Sequence, residues 1–193
     1  MSPLPRYPYN SKLFEPQRSH LWIVDFSAVP LFTNGAIINQ TNYGTVPIAN
    51  SIPLKLQYQA RGTTLPERTL GTITDGFMNQ QTNYAEFESQ AGRTWTCTFL
   101  EFYDTVNIRD IFNQWMNVIH NKETGEQSHK VVYAWDLFIK KHEMDGTIFR
   151  TFRLVNAFPT TLGPETLTHP DTGVGGKITF DVTFTYDYYK QEE

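Results

Sequence analysis

The feature that most constrains this chain is its last sixteen residues. From Ile178 onward, Ile178, Phe180, Val182, Phe184, Tyr186 and Tyr188 alternate with Thr179, Asp181, Thr183, Thr185 and Asp187. A period of two puts large apolar groups on one face of a strand and hydroxyls and carboxylates on the other. At roughly 3.4 Å per residue, a strand from Lys177 to Tyr189 would run about 40 Å, well beyond an ordinary one. So long an edge needs partners, which makes the fold a β-sheet protein before anything else is read.

Other segments agree. Leu21–Phe26 is β-branched and aromatic and predicts a core strand, and Trp95, Cys97 and Phe99 alternate with Thr94, Thr96 and Thr98. Leu54, Leu56, Tyr58 and Ala60 alternate with Lys55, Gln57, Gln59 and Arg61, which predicts a half-buried strand. Val131–Lys141 alternates into the Asp145-Gly146 turn, and Thr147–Asn156 completes a hairpin. Pro159 through Gly176 then reads as a long irregular connection. The pattern predicts one helix, Thr105–His120, with Asp104 as N-cap. There Ile108, Ile111, Phe112, Trp115, Val118 and Ile119 form one apolar stripe. Many antiparallel strands with one flanking α-helix point to a mainly β fold, an antiparallel β-sandwich or barrel.

At 193 residues the chain fits a single β domain, 20–193, preceded by an extended arm, 1–19, rich in Pro, Tyr and Asn. Residues 29–51 carry a density of turn formers expected of a surface loop insertion. With 14 Phe, 10 Tyr and 4 Trp, disorder over most of the length is excluded. The single cysteine, Cys97, excludes an internal disulfide. No apolar run long enough for a signal peptide or membrane span opens the chain, so no export signal of its own and no stable membrane insertion are expected. A net charge of −4 without a basic block argues against specific nucleic-acid binding.

Chemistry is hard to place. No two of His20, His120, His129, His142 and His169 have helical metal-ligand spacing, and Cys97 shares a strand face with Trp95 and Phe99, where a thiol is a poor nucleophile. Glu86 with Glu88, or Asp181 with Asp187, could pair as acid and base, yet strand alternation puts such pairs on a polar face by default. Gly173-Val174-Gly175-Gly176 opens no helix that could hold an anion. No catalytic residue, metal or cofactor is expected, and the chain reads as no enzyme.

Some segments lack a reason within one molecule. Leu65, Leu70 and Ile73 fit no period, and Phe77–Tyr84 would be polar on both faces as a strand. Both make sense if the chain completes itself against copies of itself. The alternatives are a monomer whose loop folds back on its own sheet and a monomeric β-barrel binding a small ligand.

Several stretches, in order, resemble the tail tube proteins of contractile-tailed bacteriophages. They are Thr64-Leu65-Pro66, Gly76-Phe77-Met78-Asn79, Trp95-Thr96-Cys97-Thr98-Phe99, Ile111-Phe112-Asn113-Gln114-Trp115, Ala157-Phe158-Pro159-Thr160-Thr161-Leu162-Gly163 and Phe180 through Tyr189. The resemblance covers about His20 to Tyr189. It implies homohexameric rings stacked into a hollow tube, with strands of all subunits joined in one inner barrel. It makes 62–83 an inter-subunit hairpin or loop and Leu65, Leu70, Ile73, Phe77 and Met78 interface residues. It places a tail sheath outside, DNA and tape-measure protein in the lumen, a baseplate or tube initiator at one end, and the protein in the virion after assembly in the host cytoplasm. A tube initiator, terminator or baseplate paralogue would share the same fold.

Overall fold

The computed structural model describes residues 20–33, 52–67, 70–77, 80–88, 93–101, 107–165 and 177–192. The arm 1–19, most of the 29–51 insertion, Met78, Asp104 and the glycines around 173–176 lie outside them.

The spine is the 15-residue strand β7 (Ile148–Leu162). On one side it pairs with β6 (Trp135–His142), which pairs with β1 (Trp22–Asp25). On the other side two successive segments share it: β8 (Thr179–Thr185) lies against Phe158–Leu162 and β9 (Tyr188–Glu192) against Thr151–Val155. Outside β8 come β5 (Thr94–Leu100) and β2 (Ala60–Thr63). Every pair is antiparallel, and the path runs β1-β6-β7-β8-β5-β2.

This seven-stranded sheet bends at one place in two strands at once. Asn156 in β7 has φ 54°, a left-handed conformation that asparagine tolerates better than most residues. Its neighbour across the sheet, Asp187, separates β8 from β9. The register is the same on both sides, with Phe158 opposite Thr185 and Val155 opposite Tyr188. The buried phase slips by one, however: Phe152 and Leu154 are buried before the bend, Ala157 and Pro159 after it. The terminal segment is therefore not the uninterrupted strand its alternation predicts. Phe180, Val182, Phe184 and Tyr186 face the core, but Tyr188 is exposed and Tyr189 takes its place.

Polar side chains hold the bend. The Asp187 carboxylate accepts from Asn156 Nδ2 at 2.7 Å and pairs with Lys130, while Arg93 donates to its carbonyl. Asp136 accepts from the Asn156 amide at 3.1 Å and from Arg153 Nε at 2.9 Å. The Lys130 and Asn156 hydrogen bonds hold the Asp187 carboxyl below its ordinary range. A depressed folded-state pKa gives stability that is present above the unfolded value, near 3.9, and is lost as pH falls through the folded one. Asp187→Asn is thus expected to destabilise at neutral pH, with the difference from the natural protein shrinking to nothing in acid, as measured by urea denaturation across pH. A difference that does not vary with pH would mean that the charge plays no part in the bend.

Bending brings distant strands together. Phe26, just past β1, lies 6.1 Å from Phe184 of β8 and 6.2 Å from Phe99 of β5. In a flat sheet at about 4.8 Å per strand, β1 and β5 would stand near 19 Å apart, so the two halves face each other as sandwich layers. The opening between them is filled by a helix, Ile108–Ile119, whose Phe112 and Trp115 reach Phe184 at 5.8 and 6.0 Å. Its Ile108, Ile111, Phe112 and Trp115 are buried and Ile119 is partly so. Asn107, not the expected Asp104, caps it, accepting from the Arg109 amide at 2.9 Å. Trp115 Nε1 donates to the Tyr133 carbonyl at 2.9 Å, which satisfies its one buried donor.

Four helices are described rather than one: α1 (Pro30–Thr33), α2 (Ile52–Gln59), α3 (Ile108–Ile119) and α4 (Lys130–Tyr133). Helix α2 replaces the strand expected from Leu54 to Ala60. Ile52, Leu56 and Gln59 are buried at i, i+4 and i+7, whereas Leu54 and Tyr58 are exposed. Over eight residues the two periods share positions, and Pro53 in the first turn favours the helix. Helix α4 likewise takes the start of the segment read as a strand from Val131, leaving Val131 exposed and starting β6 at Trp135. The second hairpin strand runs on through Pro159, which needs no ladder donor at the bulge between Pro159 and Thr161.

Candidate assembly surface

Two strands stand apart from this sheet. Among the described residues β3 (Leu70–Phe77) and β4 (Gln80–Glu88) pair only with each other, with Ile73 opposite Tyr84, Thr74 opposite Asn83 and Phe77 opposite Gln80. Thr74 Oγ1 donates to Asn83 Oδ1 at 2.9 Å, a cross-strand polar pair. The root of the segment is pinned: Trp95 Nε1 donates to the Thr64 carbonyl at 2.9 Å and Thr63 Oγ1 to the Thr96 carbonyl at 3.1 Å. Beyond that root the hairpin makes only glancing contact with the rest of the described residues.

Large apolar side chains on the hairpin and on the segment leading into it are exposed. Leu65 is 40% exposed, Leu70 51%, Ile73 52% and Tyr84 56%. A lone two-stranded hairpin is marginal in water, and large apolar groups at half exposure on it add no core. Phe77 ends β3, and Met78 lies outside the described residues. Tyr84 is the residue that the sequence reading missed. Its place opposite Ile73 follows from pairing that a string of amides and hydroxyls does not announce.

Sheet margins are the second part of the surface. β2 pairs with β5 on one side alone, and β6 covers β7 only as far as Ala157, so Phe158–Leu162 has β8 on one side and no strand on the other among the described residues. Both of these margins belong to the half-sheet β7-β8-β5-β2; in the other half β1 and β9 also pair on one side alone among the described residues.

Among the described residues the candidate groups for chemistry do not come together. Burial pushes the Cys97 thiol far up from its ordinary range, which makes it inert. Asp181 accepts from Thr98 Oγ1 at 2.6 Å in the middle of β8, and Asp187 is engaged at the bend. Among the described residues no three His, Cys, Asp or Glu side chains group to hold a metal, and no helix is long and apolar enough to cross a membrane.

The family model described as phage tail tube protein matches residues 18–192. The chain belongs to the phage tail tube protein family. Solved structures share its fold. A chain of the sheath/tube terminator of the extracellular contractile injection system PVC, in the extended state, aligns with TM-score 0.58 at 14% identity, over 93% of this chain and 98% of that one. A chain of the PVC sheath-tube complex gives 0.58 at 14%, covering 96% and 99%. The tube terminating cap of the anti-feeding prophage gives 0.55 at 14%, covering 92% and 91%. No curated protein matches. The mainly β, antiparallel fold expected of a tail tube protein is thus the fold observed.

Proposed function

We propose that this chain is the repeating structural subunit of a contractile phage tail tube, six copies to a ring, with rings stacked into a conduit for DNA and tape-measure protein. The observation that carries the proposal is the detached β3–β4 hairpin with Leu70, Ile73 and Tyr84 half exposed, joined to a half-sheet with two open margins. The hairpin docks on a neighbouring copy, with Leu65, Leu70, Ile73, Phe77 and Met78 in that contact. The margins pair between copies.

Strand direction favours closure. The half-sheet β7-β8-β5-β2 has four strands that alternate in direction. An even number puts the β2 of one copy antiparallel to the β7 of the next, so a ring closes as a barrel without one parallel pair or free edge. Tail sheath protein would surround the tube, with a baseplate or tube initiator at its end, and the tube would belong to the virion after assembly in the host cytoplasm. The role needs no catalysis.

Electron microscopy of the purified protein tests this: hollow cylinders with sixfold end views are expected. A monomer at all concentrations in light scattering overturns the proposal and favours a ligand-binding barrel. A tube initiator or terminator ring would share the fold, and copy number in the virion separates them, since the tube subunit is abundant and an initiator scarce.

A further inference from the structure

The short helix α4 holds two valines out in water. Val131, at 78%, is the most exposed large apolar side chain among the described residues, and Val132 beside it is 45% exposed. Adjacent valines are poor helix formers, so local propensity does not explain the turn. The residues at its two ends are engaged. Tyr133 is buried, its ring 5.2 Å from that of Phe158 and its carbonyl accepting from Trp115 Nε1, and Lys130 pairs with Asp187. The valines are thus fixed in place by neighbours that they do not themselves cover.

Their place is the head of the open β7 margin. β6 covers β7 as far as Ala157, opposite Trp135, and α4, which precedes β6 in the chain, lies against Phe158, the next residue along. The uncovered slot then runs from Phe158 to Leu162, long enough for the four residues of β2. Strand direction decides what arrives at α4. Antiparallel pairing, which the even strand count favours, sets the start of an incoming β2 beside Leu162 and its end, Thr63, toward Phe158. Past Thr63 the incoming chain stays in line with its own sheet, because Trp95 Nε1 donates to the Thr64 carbonyl at 2.9 Å and Thr63 Oγ1 to the Thr96 carbonyl at 3.1 Å. At about 3.4 Å per residue, Leu65 stands about 7 Å beyond Thr63, which brings it onto α4. Leu65 is itself exposed in its own subunit.

We propose that α4 is a docking shelf and register stop for the neighbouring copy, with the neighbour's Leu65 seated on Val131 and Val132. This assignment rests on the ring reading above and adds the point at which the strand pairing between copies must end. The need for such a stop is physical. Backbone hydrogen bonds between two short edge strands look much the same in every register, and a slip of one residue turns every side chain to the other face. A slip of two keeps the faces but displaces the copies by about 7 Å, which turns a closed ring into an open spiral. An apolar knob meeting an apolar shelf at one end of the slot opposes both errors. Stopping short leaves Leu65, Val131 and Val132 in water, and running past drives the chain into α4. Parallel pairing brings Leu65 to the Leu162 end of the slot instead, away from the valines.

Cross-linking in assembled tubes tests the contact. In Leu65→Cys/Val131→Cys, with the native Cys97 buried, a short bifunctional maleimide is expected to give a ladder of covalent products on a denaturing gel that ends at six copies. Each single variant should stay monomeric on the same gel. Tubes of the double variant that give no ladder overturn the assignment. A ladder from a single variant also overturns it, because equal positions then meet, and so does a ladder that runs past six copies, because the contact then lies between rings. If the double variant does not assemble, Leu65→Cys/Val132→Cys gives the same readout. Val131→Asp is an independent check. It should leave circular dichroism and melting unchanged, since the side chain adds little to its own subunit, and raise the concentration at which tubes form by about tenfold or more. An unchanged threshold overturns the assignment. Absence of tubes from the natural protein is a different failure, that of the ring reading itself.

Discussion

Replacing both Leu70 and Ile73 with Asp is expected to leave a folded monomer that forms no tube at any accessible concentration. Both side chains are half exposed on a hairpin that pairs with no other strand among the described residues, so their loss removes little from the core. In the contact between copies the balance is different. Burying a Leu or Ile is worth about 1.5 to 3 kcal/mol, and a carboxylate in its place must lose water without a partner. Together the two changes cost each contact at least about 4 kcal/mol, roughly a thousandfold in association constant. In the proposed stack that contact would recur around every ring, so polymerisation is expected to stop altogether. Circular dichroism should match the natural protein while light scattering reports a monomer. Unfolding of the double variant would put these residues in the subunit core, and tubes formed at the usual concentration would remove the hairpin from the interface.

The sequence is most readable where one physical demand acts alone. β5 has a single buried face, so Trp95, Cys97 and Phe99 alternate cleanly, and α3 buries one stripe, so Ile108, Ile111, Phe112 and Trp115 fall at helical spacing. Readings fail where two demands meet in a short stretch. In Ile52–Gln59 the helical and strand periods share Ile52 and Leu56, and only burial, which follows from tertiary packing, decides between them. At the bend, Asn156 and Asp187 turn over two strands together, and the alternation continues through Tyr188 in the letters although not in space. The same holds for the assembly surface. Leu65, Leu70 and Ile73 were conspicuous because they fit no period, but Tyr84 needed the pairing with Ile73, and the open margin of β7 beyond Ala157 needed the sheet order. Partner strands from other copies, as proposed above, would leave little trace in one chain's pattern, because the residues they cover look ordinary until the neighbour is counted.

Phe184→Ala should cause the largest loss of subunit stability. Phe184 is fully buried between the two sandwich layers, with ring centres of Trp95, Phe112, Trp115 and Phe26 at 5.1, 5.8, 6.0 and 6.1 Å. Those four rings come from β5, α3 and the end of β1, so one side chain joins both layers to the helix between them. Truncation removes its transfer free energy and leaves a cavity walled by rigid rings that cannot collapse inward, which puts the cost at about 3 to 5 kcal/mol. Against a total of about 5 to 15 kcal/mol for a domain, this lowers the melting temperature by about 10 °C and moves the urea midpoint with its slope unchanged. Phe184→Leu, which keeps most of the volume, should lose much less. The neighbouring residues Thr183 and Thr185 point to the opposite face, so Thr183→Ala should leave subunit stability nearly as it was. A loss under about 1 kcal/mol for Phe184→Ala would mean that the layers do not close on this ring.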